Sequence, residues 1–252
     1  MKTVRSKRMI LPTTLIATLV IATACSDNND ANGDINGANE SDSNTAVSDQ
    51  IYSWEDEICD IFDPSSITPH LGDARFSEGP TVSPRTTGLF YEAISCNSLI
   101  QFEDSSGGTV GGYIYLHAAP FEAEEHSIQL YEQRVASFQD LTQELVDSPN
   151  SEWEAYSDGD FDGPWNEGYF YSGTGDAHRV HGFYRDGTYV VEVEINIDTD
   201  LNVAMALNEG AADIYADPSY SFTLPEVSDW VKDTYIPNLY ETIVAKASEG
   251  NN

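Results

Sequence analysis

Between residues 122 and 146 the apolar side chains Ile128, Tyr131, Val135, Phe138, Leu141 and Leu145 recur at three- and four-residue steps. That period predicts a long amphipathic helix whose stripe lies on a sheet. Near residue 190 the period changes to two. Tyr189, Val191, Val193, Ile195 and Ile197 alternate with Val190, Glu192, Glu194 and Asn196, the pattern of a strand with one buried face and one largely wet. Its hairpin partner is Ala177 to Tyr184, because the intervening Asp186-Gly187 tolerates the positive φ of a type I′ turn.

Upstream, Leu89 to Ser95 and Leu99 to Glu103 read as strands joined near Cys96-Asn97-Ser98. Ser105 to Gly108 is a turn, and Tyr113 to His117 is a third strand rich in β-formers. Ile58, Ile61 and Phe62 form a short helical turn, and Asp63-Pro64 opens another that stops before Gly72. A short helix is expected within Asp200 to Asp213. Leu224-Pro225-Glu226 starts a last helix, which Pro237 bends or breaks before Leu239 and Ile243. These elements predict one α+β domain over 51–248, an antiparallel sheet flanked by helices, with a flexible tail at 249–252.

The first 50 residues have a different character. Lys2, Arg5, Lys7 and Arg8 precede an apolar run from Met9 to Ala22. The run is shorter than the roughly 20 residues a bilayer span needs and suits the core of a signal peptide. It ends in Ala22-Thr23-Ala24-Cys25, which resembles the bacterial lipobox, although Ala22 stands where that motif usually has Leu. The reading is a signal peptide over 1–24 and diacylglycerol on Cys25. An uncleaved anchor helix and plain secretion after Ala24 are the alternatives. Residues 25–50 then form a lipidated, disordered acidic tether, since low hydrophobicity with one sign of charge cannot offset the entropy of ordering.

The chain carries 43 acidic and 11 basic residues, a formal net charge of -32. Such a surface repels phosphate backbones and excludes nucleic acid as a partner. It also resembles proteins of saline habitats, where a short Debye length screens self-repulsion; the alternative is simply a soluble exported protein. With Cys25 lipidated, Cys59 and Cys96 remain as an even pair in an oxidising compartment. This favours a disulfide over zinc, which needs four clustered ligands.

Cys25, the acidic spacer and Cys59-Asp60-Ile61-Phe62-Asp63-Pro64 resemble a family of actinobacterial lipoproteins of unknown function. The family opens with a similar Cys-x-Leu-Leu-Asp-Pro, and a second cysteine follows a strand, as Cys96 does here. The chain departs from it at Asn97 and Ser98, where members often carry an aromatic residue. The resemblance implies a Cys59–Cys96 disulfide and a helix-sheet-helix sandwich like that of extracytoplasmic sensor domains. It implies no catalytic residue.

Candidate chemistry concentrates in residues 152–171. Asp158, Asp160 and Asp162 match the first half of a calcium loop, but position twelve is Tyr169 where the bidentate acid belongs. Trp153, Trp165 and Tyr169 beside these acids form a candidate ligand-binding set, with rings for sugar stacking and carboxylates for hydroxyls. His178 and His181, three apart on a strand, point to opposite faces and do not share a metal. There is no nucleophile elbow and no phosphate loop. No cofactor is expected, calcium excepted.

The function expected from sequence is therefore a membrane-anchored extracytoplasmic lipoprotein, monomeric, with a non-enzymatic domain that binds an unknown envelope ligand or protein. The competing expectation is an envelope hydrolase acting on carbohydrate through paired carboxylates of the 152–171 region.

Overall fold

The computed structural model describes residues 47–87, 92–103, 109–147, 153–175, 177–198 and 220–249. The expected signal peptide, Cys25, most of the expected tether, the expected Ser105 to Gly108 turn and the helix expected within Asp200 to Asp213 lie outside them.

Seven strands form one antiparallel sheet: β1 (Arg75–Thr87), β2 (Glu92–Glu103), β3 (Thr109–Pro120), β4 (Glu154–Asp160), β5 (Glu167–Thr174), β6 (Ala177–Asp186) and β7 (Tyr189–Asp198). Their order is β1-β2-β3-β7-β6-β5-β4. Two meanders thus meet at the β3–β7 seam, and the long helix α2 (Glu124–Asp147) carries the chain from the centre of the sheet to its β4 edge. The short helix α1 (Ile58–Phe62) precedes the sheet, and α3 (Leu224–Trp230) and α4 (Ile236–Glu249) close the fold. The antiparallel sheet with helices on it is the α+β architecture the pattern predicts.

Period-two alternation sorts the sheet into two faces. The first carries Ile94, Cys96, Ile100 and Phe102 of β2, Ile114 and Leu116 of β3, and the whole Tyr189 to Ile197 series of β7, all buried. The N-terminal turns, α1, α3 and α4 cover it with Ile51, Ile58, Phe62, Val231, Ile236 and Ile243. Cys59 of α1 is disulfide-bonded to Cys96 of β2, with Cα atoms 5.0 Å apart, so the N-terminal turns are stapled to the sheet. Tyr235, between α3 and α4, ties the C-terminal helices to α1 by donating to Phe62 O at 2.6 Å.

Several expectations are corrected. The domain begins by residue 47, since 47–51 is helical, Val47 and Ile51 are buried and Ser48 Oγ lies 2.6 Å from Thr188 Oγ1. The tether therefore cannot extend to residue 50. At the other end α4 runs to Glu249. Cys96-Asn97-Ser98 is mid-strand, because the buried alternation passes through it without a break. The preceding β1 escapes the strand pattern because Gly79, Pro80 and Pro84 interrupt it. It is an edge strand with register shifts, the place where a sheet tolerates proline. The acidic, aromatic segment after Trp153 is a pair of strands, β4 and β5.

Pro237 neither breaks the last helix nor sits in a regular one. A π turn at Val231–Tyr235 precedes it, in which Ile236 N–H reaches back to Val231 O. The wider turn accommodates a residue that has no N–H and crowds the preceding carbonyls.

Candidate ligand-binding face

The second sheet face differs from the first in composition. Directly opposed residues share a face, so the ladder registers give its rows. One row reads Leu99, Tyr113, Asn196, Arg179; the next Asn97, Tyr115, Glu194, His181; the third Ser95, His117, Glu192, Phe183. Strands β2, β3, β7 and β6 therefore bring rings, amides, acids and guanidinium together where a closed core would place aliphatic residues.

Helix α2 covers part of this face, lying on β6 and β7. Its buried or half-buried side is Ser127, Ile128, Leu130, Tyr131, Arg134, Val135, Phe138 and Thr142, which keeps Ile128, Tyr131, Val135 and Phe138 of the predicted stripe, whereas Leu141 is 38% exposed. The side chain of Leu145 lies outside the described residues. Ser127 and Arg134 join that side because the surface beneath is polar. Ser127 Oγ donates to Gly187 O at 2.6 Å, and Arg134 donates to Glu192 Oε1. Phe138 packs edge-on against His181, with centroids 4.2 Å apart.

Glu192 is the electrostatic centre. The expected wet position is 7% exposed, a correction with a clear cause: α2 lies over it and supplies the counter-charge. His181 Nε2 lies 2.7 Å from Glu192 Oε1. Burial pushes the Glu192 pKa up, but the His181 hydrogen bond and the charges of His181 and Arg134 outweigh it and hold the carboxyl at about 2. Glu192 is thus an acceptor only, and His181 donates through Nε2. Burial lowers the pKa of the adjacent His117, against the opposing pull of Glu192 and Glu194.

Away from α2 the face is less covered. Leu99 is 44% exposed, and Asn97, Tyr113, Tyr115, His117, Glu194, Asn196 and Arg179 are half-buried. On β3, Tyr113, Tyr115 and His117 form a ladder, with successive ring centroids 4.6 and 5.9 Å apart. Tyr113 OH donates to Glu194 Oε1 at 2.7 Å, and burial followed by that bond raises its pKa. Asn97 Nδ2 donates to Ser83 Oγ at 2.5 Å.

The residues singled out by sequence lie elsewhere. Trp153, Trp165 and Tyr169 are all buried. Trp153 stacks on Tyr171 and lies where a Cβ on Gly173 would be. Trp165 stacks on Tyr184, and Tyr169 packs on Phe183. The proposed sugar platform is corrected accordingly, since its rings are spent on packing. Asp158 and Asp160 share a face of β4, and Asp162 lies in the turn beyond it. Asp158 accepts from Tyr169 OH. Among the described residues no group of three or more His, Cys, Asp or Glu is placed to hold a metal ion. A cavity of about 240 Å³ does open beside Asp160, Asp162, Glu167 and Tyr131, with Glu167 ion-paired to Arg185 at 2.6 Å.

His178 lies on the first face, 2.8 Å from Thr174 Oγ1 through Nδ1, and His181 lies on the second. Among the described residues the two buried acids, Asp186 and Glu192, are also on opposite faces. Asp186 accepts from Tyr240 OH at 3.0 Å.

No known protein family, curated protein or solved structure matches this chain. Sequence reasoning missed Tyr113, Tyr115, His117 and Arg134 as site residues. Their signal was the period-two run Tyr-x-Tyr-x-His in one strand and Glu-x-Glu in another.

Proposed function

We propose that this chain is a lipid-anchored extracytoplasmic protein whose single domain binds an envelope ligand on the polar face of β2, β3 and β7. The observation that carries the binding role is that face itself. Half-buried rings, amides and charged groups converge on it, and Leu99 stays exposed at its margin. The extracytoplasmic placement draws support from the Cys59–Cys96 disulfide, a bond that persists in oxidising compartments. Cys25 carries the anchor, and the acidic segment after it lifts the domain from the lipid.

The hydrolase reading has less support. Paired-carboxylate hydrolysis needs two acids about 5 to 9.5 Å apart on one site, one of them able to give a proton. The acids of 152–171 on which that reading rests, Asp158, Asp160, Asp162 and Glu167, are exposed rather than desolvated, and Glu167 is ion-paired to Arg185.

Detergent-phase partition and protease shaving of intact cells test the reading. The full chain enters the detergent phase and is cleaved from outside, and Cys25→Ser leaves it in the aqueous phase. Aqueous partition of the unaltered chain, or protection from external protease, contradicts it.

A further inference from the structure

Resting on the ligand face just proposed, we infer that its ligand is an uncharged oligosaccharide held along the Tyr113–Tyr115–His117 ladder. Three independent features point to that chemistry.

The first is charge. Four of the 11 bases lie at Lys2, Arg5, Lys7 and Arg8, so seven serve the rest of a chain with 43 acids. Two of those seven, Arg134 and Arg179, face this surface, Arg134 bonded to Glu192 and Arg179 paired in register with Asn196, against Glu192, Glu194 and, at the end of β7, Asp198. The patch is far closer to balance than the chain as a whole. An uncharged ligand gains nothing from the general acidity and loses nothing here, whereas an anion must approach through a repulsive field.

The second is the alternation of rings with planar hydrogen-bonding groups. Tyr113 and Tyr115 supply apolar ring surface for sugar C–H groups, and Asn97, Asn196 and Glu194 flank them in the same two rows. Saccharides present this mixture of apolar patches and hydroxyls.

The third is a pair of orphans. Asn97 Oδ1 and Ser95 Oγ are buried and have no hydrogen-bond partner among the described residues. Ser95 is 1% exposed. They oppose Tyr115 and His117 in register, on the floor of the ladder. Buried polar groups are nearly always satisfied, and ligand hydroxyls, which both donate and accept, suit an amide oxygen beside a hydroxyl.

Isothermal titration of the full chain in detergent micelles tests the inference, with chitotetraose, cellotetraose, tetragalacturonate and tetralysine as probes. A neutral tetrasaccharide is expected to bind, tetragalacturonate is not, and Tyr115→Leu and Asn97→Ala each weaken the neutral ligand at least tenfold with melting temperature kept. If Tyr115→Leu does not fold, Asn97→Ala carries the test, since it removes one amide and no ring. Absence of binding by both neutral tetrasaccharides, or equal binding by the variants, overturns the inference. Tetralysine binding that the variants abolish, without saccharide binding, overturns the ligand class and leaves the binding face standing. Tetralysine or saccharide binding that neither variant alters removes the face as well.

Discussion

His181 Nε2 lies 2.7 Å from Glu192 Oε1 on adjacent strands, and Arg134 reaches the same carboxylate oxygen from α2. One buried charge therefore joins β6, β7 and the helix above them. Removing one member of such a cluster strands the others, which typically costs about 3 to 5 kcal/mol. Glu192→Gln is expected to destabilise by that order, read as a lower urea midpoint, with α2 losing hydrogen-exchange protection first. A change below about 1 kcal/mol would mean that the cluster does not hold the helix.

The same groups set an acid limb of stability. The folded pKa of Glu192, about 2, is below its ordinary 4.5, so its contribution is complete above pH 4.5 and lost as pH falls toward 2. It amounts to roughly 3 kcal/mol. His117 is also lowered, from 6.5, so the unfolded chain takes that proton first and stability begins to fall below pH 6.5. Urea unfolding across pH 2 to 8 should show a decline that starts near 6.5 and continues below 4.5. Glu192→Gln should flatten the lower part and, by removing one of the acids that pull the His117 pKa up, deepen the decline below 6.5.

The disulfide closes a loop with a sequence separation of 37. In the chain-entropy account this is worth about 4 kcal/mol. Reduction, or Cys59→Ser with Cys96→Ala, is expected to lower the unfolding free energy by that order while the far-ultraviolet dichroism persists. An unchanged urea midpoint after complete reduction would contradict the staple.

Gly173 permits the packing of Trp153. A Cβ there would overlap Trp153 Cζ2 and lie 2.8 Å from Glu154 O, so both the indole and the β4 backbone would have to move. Gly173→Ala is expected to cost about 1 to 3 kcal/mol and to shift tryptophan emission to the red. Unshifted emission would show that the indole is not packed there.

How much of this was legible in the sequence depended on whether local pattern and tertiary environment agreed. The Asp186-Gly187 hairpin and the long helix were readable, because turn chemistry and period act locally. The turn type differs from the expected I′: Asp186 pairs with Tyr189, the loop is Gly187-Thr188, and only Gly187, with φ 52, takes a positive φ. β1 was not, since its prolines are tolerated only because it lies on an edge. Glu192 looked wet because strand alternation says which residues share a face and is silent about what covers that face. Trp153 and Trp165 looked like a platform because aromatic residues beside acids have the same composition in a binding site and in a packed corner. The ladder on β3 went unnoticed because three tyrosine and histidine positions also fit an ordinary strand.

The central claim is that the face over β2, β3 and β7 meets a partner in the envelope, and tyrosine footprinting measures it most directly. Nitration of the purified full chain and of the chain on intact cells should label Tyr156, 37% exposed, equally in both. Tyr113 and Tyr115 should be labelled in the purified chain and protected on cells. Equal labelling of Tyr113 and Tyr115 in both settings, or protection of Tyr156 alone, would contradict the account.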